Sequence, residues 1–374
     1  MNVNFLLGSG ISQNMLNTDV DKITSSLEND FWISRNNLYY KVDSIDNESE
    51  IVKNYKAALE IVKNELVNST ELSETDINYE HIYYIFDQVK NLRESAKTNH
   101  LAHKHISEIS EKCSSYSVNE FGEDLEFIDF SNRILTYIDS VVFNHLVFDS
   151  EVDSLIPIFD QFKGRSIKSY IFSLNHDLLI EKYFQNRGIS FNDFFESGEH
   201  PLRKFSISSV GNIEAFDFGL FKLHGSINWV RSTKRFFDYY TIDDFTENLL
   251  LNFPFLSNGI STVKISPEFL TGHTNKSVDY FHGVYSFLVT KFIEVLNETD
   301  VLIISGFGWQ DYVIRGIVIE WLDYDRSRKM ILCYENDEDP RNFLGMRIDH
   351  PQIVNTGKWL SDIDFEDMEE HLET

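Results

Sequence analysis

Cysteine is almost absent from this 374-residue chain, which holds Cys113 and Cys333 and no others. Two thiols cannot build a disulfide framework or furnish a four-thiolate zinc site. Proline is scarce too, at six residues, and no Pro-rich or Gly/Ser-rich linker divides the chain. No stretch approaches the roughly eighteen uncharged apolar residues of a bilayer span. The opening "MNVNFLLGSG" lacks the basic start and long apolar core of a signal segment. These absences predict a soluble, cytoplasmic protein with no membrane attachment. Positive charge is the remaining shortage, with 33 Lys and Arg against 60 Asp and Glu, a formal net charge of -27. Such a surface repels a phosphate backbone, and no basic run interrupts it, so no direct nucleic-acid binding is expected. A partner with a basic face is the complementary expectation.

What is present is a set of short, continuous apolar runs, each ending in a polar or glycine motif: "VNFLLGSGIS", "KSYIFSLNHD", "FGLFKLHGS", "TDVLIISGFG" and "RKMILCYEN". Runs of this kind suit strands buried on both faces, hence a parallel sheet. Helical patterns lie between them; in "SVDYFHGVYSFLVTKFIEVLNE" Tyr280, Val284, Phe287, Phe292 and Val295 recur near helical spacing. The prediction is an α/β fold, a Rossmann-like parallel sheet flanked by helices. Between the first two runs, Ile51, Tyr55, Leu59, Val62 and Leu66 recur every three or four residues. This predicts a large helical insertion forming a second subdomain over 46–159, with the sheet domain built from 1–45 and 160–374. The acidic end, "SDIDFEDMEEHLET", reads as a solvated terminal helix or tail.

An open parallel sheet binds ligands beyond the carboxyl ends of its strands, where all five motifs converge. Gly8 and Gly10 in "GSGIS" permit a tight turn whose amides either hold a phosphate or merely connect two elements. The continuation "GSGISQNML" lacks the third glycine of the dehydrogenase fingerprint, which argues against hydride transfer. In "SLNHD", Asn175 and Asp177 lie two apart at a strand end; Asp177 either meets a ligand or caps the following helix. His176 alternates away from both and reads as structural. His224 precedes Gly225 at another strand end, structural unless other groups gather round it. Ser305, Gly306 and Gly308 in "SGFG" and Glu335 with Asn336 in "YEN" complete the set. His100, His103 and His105 lack a metal-site spacing and read as a solvated helix face, so no metal is expected.

As an ordered set over roughly residues 1–15 and 165–340, "GSGIS", "SLNHD", "KLHGS", "SGFG" and "YEN" resemble the Sir2 superfamily. The resemblance implies that Gly8, Ser9, Gly10, Ile11 and Ser12 bind the phosphates and ribose of NAD, and that Asn175 and Asp177 face the nicotinamide ribose. It implies that His224 is the catalytic histidine. By the same comparison Ser305, Gly306 and Gly308 lie near the adenosine ribose, and Glu335 and Asn336 beside the adenine. The four-Cys zinc module of deacylating members cannot be built here, and their Gly-Ile-Pro-Asp-Phe-Arg stretch is replaced by "SQNMLNTDV". What remains is similar to the zinc-less Sir2-like effectors of bacterial antiphage defence, which carry helical insertions and hydrolyse NAD to nicotinamide and ADP-ribose. At this length the chain resembles the stand-alone type, which implies a homo-oligomer assembled with a hexameric HerA-type ATPase. Asn175 would orient ribose and water, His224 act as general base and Asp177 support the loop. The alternatives are an NAD-dependent protein deacylase and a non-catalytic scaffold that binds NAD or ADP-ribose. Whether "TGHTNK" at 271–276 lines the pocket is left open.

Overall fold

The computed structural model describes residues 1–12, 19–35, 38–70, 73–90, 100–119, 121–146, 157–163, 169–196, 202–209, 215–231, 238–242, 268–270, 280–335, 350–363 and 365–373. The chain divides into two compact units, one of Met1–Asn17, Leu146–Leu270 and Lys276–Thr374, the other of Thr18–His145. Strand β1 (Val3–Leu7) opens the first unit, and the chain then builds the second before returning.

The second unit holds helix α1 (Val20–Asn29), an antiparallel hairpin of β2 (Phe31–Arg35) and β3 (Leu38–Val42), and helix α2 (Glu50–Ser69). Helices α3 (Tyr79–Lys90), α4 (His100–Cys113) and α5 (Phe127–Leu146) follow. On α2 the buried residues include Ile51, Tyr55, Leu59, Val62 and Leu66, the stripe expected from the sequence. The unit nonetheless starts near residue 18 rather than 46 and ends at His145 rather than 159. Trp32 supplies the physical reason: fully buried, it meets Tyr137 of α5 edge-on at 6.3 Å, tying the hairpin to the helices. Lys56 of α2 also bonds the Asp30 carbonyl and the Glu48 carboxylate, each at 2.6 Å.

The first unit resumes with α6 (Ile158–Phe162), β4 (Ser169–Ser173), α7 (Leu179–Arg187), β5 (Phe191–Asn192), β6 (Phe195–Glu196), β7 (Leu202–Phe205) and β8 (Phe218–Lys222). Short strands β9 (Gly225–Ser226), β10 (Trp229–Arg231), β11 (Tyr239–Ile242) and β12 (Glu268–Phe269) precede α8 (Gly283–Asn297). Then come β13 (Val301–Ser305), α9 (Tyr312–Tyr324), β14 (Lys329–Glu335), β15 (Ile353–Gly357) and α10 (Phe365–Glu373).

Seven of these strands form one parallel sheet in the order β15-β14-β13-β1-β4-β8-β5, a Rossmann-like arrangement flanked by helices. The five apolar runs are its β1, β4, β8, β13 and β14. Side-chain alternation sorts them between two layers. Val3, Phe5 and Leu7 pack with Phe159 of α6 and Phe184 of α7, whereas Leu6 packs on the opposite face with Phe292 of α8 and Val318 of α9. Strands β5 and β15 have no apolar run to announce them: β5 is two residues long, and β15 is only half-buried beyond Ile353. Strands β6, β7, β10 and β11 form a separate antiparallel sheet with no equivalent in the sequence reading. At the acidic end, α10 anchors itself by Met368, which is fully buried. Among the described residues, no helix is long and apolar enough to cross a membrane.

Strand order reverses at β1, which has β4 on one side and β13 on the other, so the loops after β1 and β13 meet. Gly8 N–H donates to the Ser305 carbonyl at 2.9 Å and Gly10 N–H to the Gly306 carbonyl at 3.1 Å. Gly306 has φ +69, and a side-chain carbon there would sit 2.6 Å from both the Gly8 carbonyl oxygen and the Ile11 nitrogen. A side-chain carbon on Gly8 would collide with the Gly306 carbonyl. Gly306→Ala and Gly8→Ala are each expected to cost about 2–4 kcal/mol, from clash and, at Gly306, a forbidden φ. Gly316, exposed within α9 with open space where a Cβ would go, is the contrast; Gly316→Ala should add about 0.5–1 kcal/mol. Urea denaturation of the three variants checks both signs.

Candidate active site

The carboxyl edge is held level by bonds that extend the ladder past the strand ends. Leu174 N–H donates to the Leu7 carbonyl and Leu223 N–H to the Ser173 carbonyl, each at 2.8 Å. Asn175 and His224, the next residue along in each case, are thereby placed on neighbouring strand ends, Asn175 beside the Gly8–Ser12 turn.

Asn175 is buried at 5% exposure, and its carboxamide nitrogen donates to the Gly8 carbonyl at 3.0 Å and to Ser12 Oγ at 2.8 Å. A carbonyl oxygen can only accept, so the amide group facing Gly8 must be the NH2, and the orientation is settled. Its Oδ1 is then buried with no hydrogen-bond partner among the described residues. An acceptor left this way costs about 1–3 kcal/mol, which marks the position as one awaiting a donor.

His224 does not stand alone. Its Nε2 lies 2.6 Å from the Tyr280 hydroxyl and 3.0 Å from Asp311 Oδ2, and the hydroxyl donates to the same Oδ2 at 2.6 Å. The other oxygen of Asp311 caps α9, accepting from Val313 N and Ile314 N at 3.0 Å each. Burial pushes the Asp311 carboxyl up, but the hydrogen bond and charge of His224, the Tyr280 hydroxyl and the Ile314 amide outweigh it. The net result lies well below the ordinary carboxylate range. Neither Tyr280 nor Asp311 was among the sequence candidates. Asp311 carried a signal, an Asp directly before the apolar helix "YVIRGIVIEWL"; Tyr280 carried none, because the helical period runs through it although α8 starts only at Gly283.

Asp177 is buried and takes Leu179 N–H on Oδ1 at 3.0 Å, a bond at the start of α7. Beneath it Lys222, 3% exposed, donates from Nζ to the Asp177 carbonyl and pairs with Glu181 at 3.3 Å. Burial holds the Glu181 carboxyl above its ordinary value of 4.5, opposed by Lys222 and reinforced by Asp177. The ring of His176 lies 6.0 Å from that of His224 and 4.7 Å from that of Phe269. Beyond Ser173 the backbone leaves strand geometry, so alternation no longer assigns faces.

In the remaining motifs, Ser305 is fully buried and donates from Oγ to the Cys333 carbonyl at 3.0 Å, and Gly306 is held by the first turn. Gly308 has open space where a Cβ would go, and Ser9 is the exposed residue of its turn. Glu335 ends β14 exposed, whereas Asn336 and the 271–276 loop lie outside the described residues. Trp309 is a further residue the sequence did not flag: buried at 1%, it adopts φ +60 and leaves its indole N–H without an acceptor. A left-handed non-glycine residue costs on the order of 1–3 kcal/mol and is retained where its surroundings demand it. Among the described residues, no group of three or more His, Cys, Asp or Glu is placed to hold a metal ion; the side chains of His100 and His103 fall outside them.

Lys222→Met removes the cation that pairs with the Glu181 carboxylate and is expected to cost about 3–5 kcal/mol at neutral pH. The sign with pH follows from a folded-state pKa raised above 4.5: the penalty is absent once Glu181 is protonated and grows as pH rises through that raised pKa. The stability gap between variant and wild type should therefore narrow as pH is lowered toward 4.5, measured by denaturant titration; a gap independent of pH would refute it. No protein-family model matches the chain, and no curated protein is significantly similar to it.

Proposed function

We propose that the chain hydrolyses NAD, cleaving the bond between nicotinamide and ribose to give nicotinamide, ADP-ribose and a proton. The observation that carries the reading is Asn175, a buried carboxamide with one unfilled acceptor at the carboxyl edge of a sheet whose strand order reverses beside it. Crevices of this kind receive dinucleotides, and a ribose hydroxyl or a water is the donor such an acceptor lacks. Nicotinamide leaves NAD as a neutral molecule and needs no acid. The residues have only to orient the ribose, shield the developing cation and take a proton from water. Asn175 fits the first role, and His224, backed by Asp311, fits the last. The Gly8 and Gly10 amides fit less well as a phosphate cradle, because both already donate within the fold. Phosphate contact then falls to Ser9 and the open Gly308 side of the facing loop.

A hydrolase is favoured over a deacylase because Cys113 and Cys333, both buried with thiols pushed up to about 12, cannot make the zinc module of the acyl-transferring members. Homo-oligomeric assembly with a HerA-type ATPase and a role in antiphage defence belong to the same proposal and rest on the resemblance, and cytoplasmic location joins it from the sequence pattern. The test is nicotinamide release by the full chain, alone and co-purified with its ATPase, with and without an acyl-lysine peptide. Release without peptide is expected, reduced on the order of 10²–10⁴-fold by His224→Ala and by Asn175→Ala. Release that requires peptide would make the chain a deacylase, and NAD bound without turnover in every sample would make it a scaffold.

A further inference from the structure

Proton counting around His224 fixes more than its position. Three heavy atoms, His224 Nε2, the Tyr280 oxygen and Asp311 Oδ2, lie within 2.6 to 3.0 Å of one another. Any two that meet without a hydrogen between them repel, and in a buried site nothing screens that repulsion. An ionised carboxylate only accepts, and a tyrosine hydroxyl has one hydrogen, which points at Oδ2. The hydroxyl oxygen can therefore only accept from the imidazole. A hydrogen on Nε2 satisfies both of that atom's contacts, shared between the hydroxyl and the carboxylate. With the lone pair on Nε2 instead, the single hydroxyl hydrogen fills one of the three contacts and two stay repulsive.

We propose that Asp311 and Tyr280 are positioning residues that hold His224 as its Nε2–H tautomer, leaving Nδ1 as the nitrogen that takes the proton in hydrolysis. The tautomer follows from these contacts with Asp311 ionised; the catalytic use of Nδ1 rests on the hydrolase reading. The carboxylate that sets the tautomer also caps α9, so the state of the imidazole is tied to a 13-residue helix on the far side of the "SGFGWQD" loop. Asp311 is carried to that point by Trp309, whose left-handed backbone turns the loop between β13 and α9.

Asp311→Asn isolates the effect. Its Oδ1 still caps Val313 and Ile314, so the helix start is kept, while an NH2 now faces Nε2 where an acceptor stood. The imidazole must then accept at Nε2 and move its hydrogen to Nδ1. Long-range proton–nitrogen NMR on the full chain, labelled at histidine and assigned with His224→Gln, reads the tautomer directly on alkaline samples. Nε2–H in the wild type, Nδ1–H in Asp311→Asn and Nε2–H retained in Tyr280→Phe is the expected result. Nδ1–H in the wild type overturns the proposal, and so does an Asp311→Asn tautomer unchanged from it. The wild-type spectrum decides even if the Asn variant does not fold. On the same samples kcat for NAD should fall on the order of 10²–10⁴-fold in Asp311→Asn with KM little changed. A tautomer that switches while kcat holds removes the catalytic half. A tautomer that switches while no sample hydrolyses NAD leaves the histidine assignment standing and removes the hydrolase reading.

Discussion

The close approach of Gly306 to the Gly8–Ser12 turn constrains the rest of the sheet's carboxyl edge. The loops after β1 and β13 touch backbone to backbone, at distances where no side chain fits on Gly8, Gly10 or Gly306. Two consequences follow. The strand ends at the reversal point are locked in register, so whatever follows β4 and β8 is delivered to a fixed place. The amides of Gly8 and Gly10 are also consumed in making the lock, so they are not open donors at this edge. Asn175 joins the two effects: its NH2 pins the Gly8 carbonyl and Ser12, and its oxygen is left over.

Buried charge is the second element, and two carboxylates of the site, Asp311 and Asp177, are held by the same device, the start of a helix at the sheet edge. Asp311 accepts from two amides of α9, from Tyr280 and from His224. Asp177 accepts from the start of α7, with Lys222 and Glu181 beside it. Burying an ion costs several kcal/mol unless its remaining lone pairs are filled, and amide donors at helix starts fill them at no cost in side-chain entropy. The acidic residues near the site are in this sense scaffolding whose charge also bears on the histidine.

The sequence disclosed the parts of this arrangement that depend on local pattern. Continuous apolar runs marked five of the seven sheet strands, because burial on both faces leaves no room for alternation; β5 and β15, short or half-buried at the edges, left no such trace. Motifs at strand ends marked Asn175 and His224. What stayed hidden depends on contacts distant in the chain. Tyr280 lies 56 residues from His224 and Asp311 lies 87, and neither spacing has a local signature. The subdomain boundary was misplaced because the β2–β3 hairpin looks like part of an α/β domain until Trp32 is seen buried among helices.

The two central residues differ in a way that bears on what each can do. His224 has its Nε2 contacts filled, so that side of its ring is set before any ligand arrives. Asn175 is incomplete, because its Oδ1 is buried without a partner among the described residues while its NH2 is doubly engaged. Trp309 shows the same pattern, a strained backbone and an unfilled indole donor, in the loop that turns from β13 toward Asp311. An acceptor beyond β4 and a donor beyond β13 are therefore both left open on loops at the carboxyl ends of strands flanking β1, where a parallel sheet reverses its order and a bound molecule would complete them.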